Sequence, residues 1–306
     1  VPLGTLARQH FEELARYCKP LGVHCALITT ATTKKTRAQL IEKMQTVPTI
    51  LIGTHAALDL VHANVGLLVI DEQHLFGVQQ REHLLQACTP RPHLLMLSAT
   101  AQPRTLGQLM SGDIRRMVLK EKPPGRAPIT TQTFPGAEID DITDAVDRYI
   151  TRTQQAVYWV LPAVGENELE LPHVSARLDS VRAALPHRRV AAVHGEMKDR
   201  QINKVLDDFR SGAIDILVAS TVVQVGISVP EANLIVIEGA NRFGVAQLHQ
   251  LRGRVGRGQH PGECWLVTDA PNDRCEVVAR STDGFALARY DASVRGMGNQ
   301  LGTEQH

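Results

Sequence analysis

The sequence predicts an α/β protein of two parallel-sheet units in tandem, followed by a short helical and loop element. Three observations predict it. Short, unbroken apolar runs recur along the chain, as in TILIG (49–53), LLVI (67–70) and HLLML (93–97). Strands of that kind are covered on both faces, as in a parallel sheet, whereas a half-exposed strand alternates. Segments of helical period lie between the runs, which is the rhythm of strand–helix–strand units. A stretch rich in proline and charge, KEKPPGRAP (120–128), then interrupts the rhythm and reads as a linker. A length of 306 residues suits two domains of ordinary size.

Each element has its own warrant. Leu3, Leu6, Ala7, Phe11, Leu14 and Ala15 share one face at a period of 3.6, so 3–17 reads as a helix. VHCALIT (23–29) is a strand and 34–46 a polar helix; strands follow at 49–53, 66–72 and 93–98. Beyond the linker the expected order is strand 129–134, helix 137–152, strand 156–161, helix 174–185, strand 189–193, helix 198–210 and strand 214–219. Strand 233–237, a short amphipathic helix before Arg252 and strand 263–268 complete the second unit. The last stretch reads as a helix over about 272–282 and then a turn-rich segment with Gly284, Gly296, Gly298 and Gly302. The domains are therefore expected at 1–122, 123–271 and 272–306.

Bulk composition excludes several classes. A formal net charge of +1 argues against a tail-driven nucleic-acid binder but leaves room for a local basic groove. Cys18, Cys25, Cys88, Cys264 and Cys275 form no CxxC pair and are odd in number, which suits a reducing cytoplasm better than a disulfide scaffold. The histidines show no metal-ligand spacing. No apolar run is long enough to span a membrane, and the N-terminal residues do not read as a signal peptide.

The chemistry sits at strand ends. In LLVIDEQH, Asp71 and Glu72 come directly after a buried strand, where open α/β sheets bind ligands. One carboxylate there can hold Mg²⁺ through water, and its neighbour can orient or deprotonate an attacking water. An acidic loop opening is the bland alternative. Ser98 and Thr100, in SAT after the next strand, put hydroxyls at another strand end, as would a plain turn or helix cap. GTHAAL (53–58) places Thr54 and backbone amides where a nucleic-acid phosphate or an ordinary cap would use them. VHGEMK (193–198) and STVVQVGISVP (220–230) repeat the theme, with Thr221 at a strand end and Gly226 permitting a tight loop. QLHQLRGRVGRG (247–258) gathers Arg252, Arg254 and Arg257 around Gly253 and Gly256. Guanidinium forks suit phosphate oxygens, and glycine lets the backbone come close, so the segment reads as a phosphate clamp rather than a solvated basic loop.

Taken in order, GTHAAL, DEQHLFGVQQR, SATAQPRTL, VHGEMK, DILVASTVVQVGISVPEAN and QLHQLRGRVGRG resemble the motor of superfamily 2 DNA helicases of the RecG type. The resemblance runs from LARQH near the start to GTEQH at the end, and the tail DGFALARYDASVRGMGNQLGTEQ is similar to the family's translocation segment. It implies two RecA-like lobes, the first incomplete, that use ATP and Mg²⁺ to move on branched or double-stranded DNA as a monomer, in the cytoplasm. Asp71 would bind Mg²⁺ through water and Glu72 would activate the attacking water. Gln73 and His74 would relay nucleotide state, and Ser98 and Thr100 would couple hydrolysis to lobe movement. Gln250, Arg254 and Arg257 would reach the γ-phosphate, with Gly226 beside the nucleotide. His10, Thr54, His55, His194 and Thr221 would face the DNA backbone, and Arg295 and Gln305 would couple turnover to translocation.

The sequence also departs from the family pattern. Leu75 stands for an arginine, Ala101 for a proline, Gln224 for a glutamate, Ser228 for an aspartate and Met297 for a proline. No G-x-x-x-x-G-K-[ST] phosphate loop occurs, and residues 1–10 resemble the helix after the family's second motif, so the chain is expected to start just downstream of that loop and to be inactive by itself. Two rivals remain: the motor of the transcription-repair coupling translocase, which shares the tail, and a non-catalytic remnant that binds DNA or a partner.

Overall fold

The computed structural model describes residues 1–60, 65–72, 76, 86, 88–98, 115, 117–119, 127–162, 174–220, 232–256 and 261–295, with only the backbone of Asp59, Asp199, Ala292 and Arg295. It divides into two compact units, Val1–Ala99 and Thr100–His306.

In the first unit, α1 (Gly4–Cys18) buries Leu6 and Ala7 on its inner face. It leads through a tight left-handed turn at Gly22 into β1 (His24–Ile28). α2 (Lys34–Met44) starts where the Thr33 hydroxyl accepts the Thr36 N–H, so the first turn is capped by its own side chain. β2 (Thr49–Gly53) pairs parallel with β1, and β3 (Leu67–Ile70) pairs parallel with β4 (His93–Met96). A 3-10 helix, His55–Leu60, follows β2 at once. A Cβ on Gly53 would lie 2.5 Å from the Ala57 Cβ and 2.7 Å from the Ile28 carbonyl oxygen, so only glycine lets this turn fold back onto the strands.

The second unit carries a six-stranded sheet, every described pairing parallel, in the order β5-β10-β9-β6-β8-β7. Its strands are β5 (Ile129–Pro135), β6 (Ala156–Leu161), β7 (Val190–Val193), β8 (Ile216–Ser220), β9 (Ala232–Ile237) and β10 (Gly262–Thr268). Strands of unbroken apolar sequence arise because both faces are covered. Tyr158, Val160, Ile235 and Ile237 point into one core, and Val157, Trp159, Leu161 and Val236 into the other. α3 (Ile139–Thr153), α4 (Val174–Ala184) and α5 (Asp199–Arg210) alternate with the strands. At the end of β9, buried Glu238 accepts the indole N–H of Trp159 and the guanidinium of Arg177, each at 2.9 Å. An ion pair out of water keeps its place only when its remaining lone pairs are also satisfied, as they are here.

α6 (Val245–Arg252), α7 (Asp273–Arg280) and α8 (Gly284–Arg295) close the described chain. α8 corrects the turn expected at Gly284, while Gly296, Gly298 and Gly302 lie outside the described residues. The segment from Gly284 is helical, and its Leu287 and Tyr290 pack on the core that holds α6. The linker expected at 120–128 falls, apart from its last two residues, outside the described residues.

Candidate functional site

The sheet geometry of the first unit gathers the acidic pair and Ser98. Ile70 stands opposite Met96, and the Leu97 N–H donates to the Ile70 carbonyl at 2.8 Å. The chain therefore leaves β3 into Asp71–Glu72 beside the point where it leaves β4 towards Ser98, which is exposed. Glu72 has φ +49°, in the left-handed region that residues with a Cβ seldom occupy. Strain of that kind collects at functional sites. The Glu72 N–H donates to Asp71 Oδ1 at 2.9 Å, so the bend also orients the first carboxylate.

Asp71 has a second partner. His10, from α1, lies 3.0 Å from Asp71 Oδ2 through its Nε2. That bond, helped by the backbone N–H of Glu72, holds the Asp71 carboxyl below the usual carboxylate range despite partial burial. Asp71 is thus an anion poised at a strand end, the donor chemistry that Mg²⁺ takes through its water shell. Among the described residues no group of three or more His, Cys, Asp or Glu forms a metal cage. That is compatible with Mg²⁺, which keeps most of its waters and binds one or two carboxylates with substrate phosphate. Sequence reasoning placed His10 with the DNA-facing groups; the observed contact is with the acidic pair. The spacing of residues 10 and 71 carries no signal of it.

Thr54 follows β2, and its N–H donates to the Ile28 carbonyl at 3.2 Å. Its hydroxyl is buried and has no hydrogen-bond partner among the described residues, so it does not act as a helix cap. The Arg37 guanidinium donates to the Ala56 carbonyl at 2.8 Å and ties α2 to this turn. The His55 ring stacks on Phe76, with centroids 4.7 Å apart. In the second unit His194 follows β7, and its Nδ1 lies 3.8 Å from the carboxylate of exposed Glu196. Val193 pairs with Ala219, so His194 and Ser220, whose hydroxyl is also buried without a described partner, sit at one edge of the sheet.

The arginine-rich segment begins in α6. The Gly244 N–H donates to the Gln247 side chain at 3.0 Å and starts the helix. Arg252 belongs to the core and not to a clamp, contrary to the grouping the sequence suggested. It is 3% exposed and donates to the Val278 carbonyl at 2.5 Å, and its other amino group meets His249 Nδ1 at 2.7 Å. A single buried arginine thus joins α6 to α7. Gln250 and Arg254 are half-buried, and Gly256, at φ +64°, turns the chain where a Cβ would stand 2.9 Å from Ile129. Gln73, His74, Thr100, Thr221, Gly226, Arg257 and Gln305, and the side chain of Arg295, lie outside the described residues, as do Leu75, Ala101, Gln224, Ser228 and Met297.

Comparison with known proteins bears on this arrangement. Residues 1–109 match the DEAD/DEAH box helicase family, and residues 167–259 match the helicase conserved C-terminal domain. The chain is 38% identical over 313 residues to the ATP-dependent DNA helicase RecG of Acidithiobacillus ferridurans, covering 99% of this chain and 46% of that protein. It is 38% identical over 318 residues to the RecG of Escherichia coli (strain K12), with the same coverage of 99% and 46%. The chain thus spans about half the length of the curated relatives it matches. Among solved structures it is similar to RecG bound to a three-way DNA junction, with a TM-score of 0.71 and 30% identity, over 100% of this chain and 40% of that one. S. cerevisiae Dbp5 bound to RNA and ADP BeF3 shares the fold, with a TM-score of 0.64 and 16% identity, over 95% of this chain and 73% of that one. No helix among the described residues is long and apolar enough to cross a membrane.

Proposed function

We propose, for a chain that belongs to the RecG-type superfamily 2 helicases, the role of motor in an ATP-driven translocase on double-stranded DNA that remodels branched junctions. One observation carries the reading. The Asp71–Glu72 pair is bent out of the end of β3 beside Ser98, in a sequence that aligns over 99% of its own length with 46% of RecG proteins.

The reaction is hydrolysis of ATP by in-line attack of water. Glu72 orients that water and takes its proton. Asp71, kept ionised by its bond to His10, would hold Mg²⁺. The metal, when bound, neutralises charge on the β- and γ-phosphates. Gln250, Arg254 and Arg257 meet the γ-phosphate, and Gly226 lets the backbone come near the nucleotide. Gln73, His74, Ser98 and Thr100 transmit its state. His10, Thr54, His55, His194 and Thr221 face the DNA backbone. Arg295 and Gln305 couple turnover to movement, and the motor works as a cytoplasmic monomer.

The test joins a phosphate loop to these residues and follows ATP hydrolysis with and without a three-way DNA junction. Glu72→Gln should lower DNA-stimulated turnover by about 10²–10⁴-fold, the usual weight of a positioned general base. Arg257→Ala should lower it by about 10³-fold or more with DNA affinity little changed. Full turnover in Glu72→Gln, or DNA affinity lost in Arg257→Ala with turnover intact, overturns these assignments.

A further inference from the structure

His55 and Leu58 share one face of the 3-10 helix that follows β2, since side chains three apart coincide in such a helix. Leu68 and Ile70 share one face of β3, since side chains two apart do so in a strand. Phe76 meets both faces. Its ring stacks on His55, with centroids 4.7 Å apart and an angle of 29° between the planes. It is 7% exposed and forms one buried cluster with Ile70, on which Leu58 and Leu68 pack. Ile70 leads directly into Asp71, and Phe76 comes soon after Glu72. The bend at Glu72 is thus flanked in sequence, before and after, by members of one apolar cluster. The 3-10 helix on the other side of that cluster is itself anchored. Gly53 packs it against the Ile28 carbonyl, and the Arg37 guanidinium holds the Ala56 carbonyl.

We infer that Phe76 is a positioning residue that joins the turn after β2 to the acidic pair, so that a shift of His55 is passed to Glu72. A ring packed on all sides transmits a displacement to its neighbours, where a solvated side chain would absorb it. Glu72 is the point that yields, because a left-handed backbone at a residue with a Cβ persists only while its surroundings impose it. A small rotation there re-aims the Glu72 carboxylate and alters the bond from the Glu72 N–H to Asp71 Oδ1. The contact belongs to the chain without any ligand. Its use, to pass the presence of DNA to the hydrolytic pair, rests on the proposed role of His55 at the DNA backbone.

The test uses the 306-residue chain labelled with ¹⁵N-glutamate. It reads the exchange of the Glu72 amide with solvent, which the bond to Asp71 slows; the signal is assigned by its loss in Glu72→Gln. His55→Ala removes the stack and should quicken that exchange several-fold. His55→Phe keeps a ring against Phe76 and should return it most of the way. Phe76→Leu keeps an apolar side chain without the ring, so in that background His55→Ala should have a several-fold smaller effect, as coupled groups do. A Phe76 that merely fills the core would leave Glu72 indifferent to His55. An unchanged rate in His55→Ala, no return in His55→Phe, or equal effects in the two backgrounds overturns the inference. A three-way DNA junction is then added. At equal occupancy it should change the Glu72 rate in the unaltered chain, and several-fold less in Phe76→Leu. No change in the unaltered chain, or equal change in both, overturns the passage of the signal. Failure of the DNA reading looks different: the junction binds, the His55 ring signals stay still, and the contact measured without DNA keeps its own result.

Discussion

Asp71 gives up its proton more readily than an ordinary carboxyl because His10 is bonded to it. A carboxyl whose folded pKa is depressed adds stability above its unfolded value and loses it as pH falls through the folded one. The His10–Asp71 contact should therefore hold through neutral pH and fail only below the ordinary carboxylate range. His10→Ala should raise the Asp71 pKa towards that range, read from the ¹³C shift of its carboxyl and assigned with Asp71→Asn. An unchanged titration would mean that the Glu72 N–H alone suffices. Residues also differ in how plainly the sequence states their work. Asp71 and Glu72 were legible because they follow an apolar run directly. Arg252 was not, because composition counts three arginines alike while packing buries one of them against the Val278 carbonyl. The His10 contact was equally hidden, since it joins groups 61 residues apart.

At the scale of elements, the strands and most helices follow from pattern alone, since both faces of the second sheet are covered and each run reads as unbroken apolar sequence. α8 escaped because Gly284 and the glycines after it read as turn residues, while the helix is held by tertiary contact. Leu287 is 1% exposed, so Leu287→Ala should cost about 2–5 kcal/mol, the range for emptying a well-packed core site. A urea melt of the chain measures it, and a loss near zero would mean that α8 is not docked in solution. Gly53 makes a second test. Alanine there meets the Ala57 Cβ and the Ile28 carbonyl oxygen, so Gly53→Ala should destabilise the first unit by about 1–3 kcal/mol. Under the proposed contact of Thr54 with the DNA backbone, the same substitution should also weaken DNA binding. Normal thermal stability in that variant would show that the turn after β2 relaxes at no cost.

The whole chain has a formal net charge of +1 and contains no phosphate-loop sequence within its 306 residues. A polypeptide of these residues should therefore hydrolyse ATP at or near background, because that loop supplies the amides and lysine that cradle the β- and γ-phosphates. Robust DNA-stimulated hydrolysis by it, lost in Glu72→Gln, would overturn this. The near-neutral charge also leaves DNA affinity to a local set of groups, so its salt dependence should match a few phosphate contacts rather than a basic coat. A spectroscopic consequence follows from where the indoles sit. Trp159 and Trp265 are the only two tryptophans of the chain, and both belong to strands of the second unit. Tryptophan emission, excited selectively so that Tyr17 of the first unit stays dark, therefore comes from the second unit alone. Trp159, fully buried with its indole N–H on a carboxylate, is the chromophore most sensitive to disturbance of the Arg177–Glu238 pair. Far-ultraviolet dichroism reads both units and fluorescence only one, so a gap between their melting curves would isolate the unit that carries Asp71 without any label.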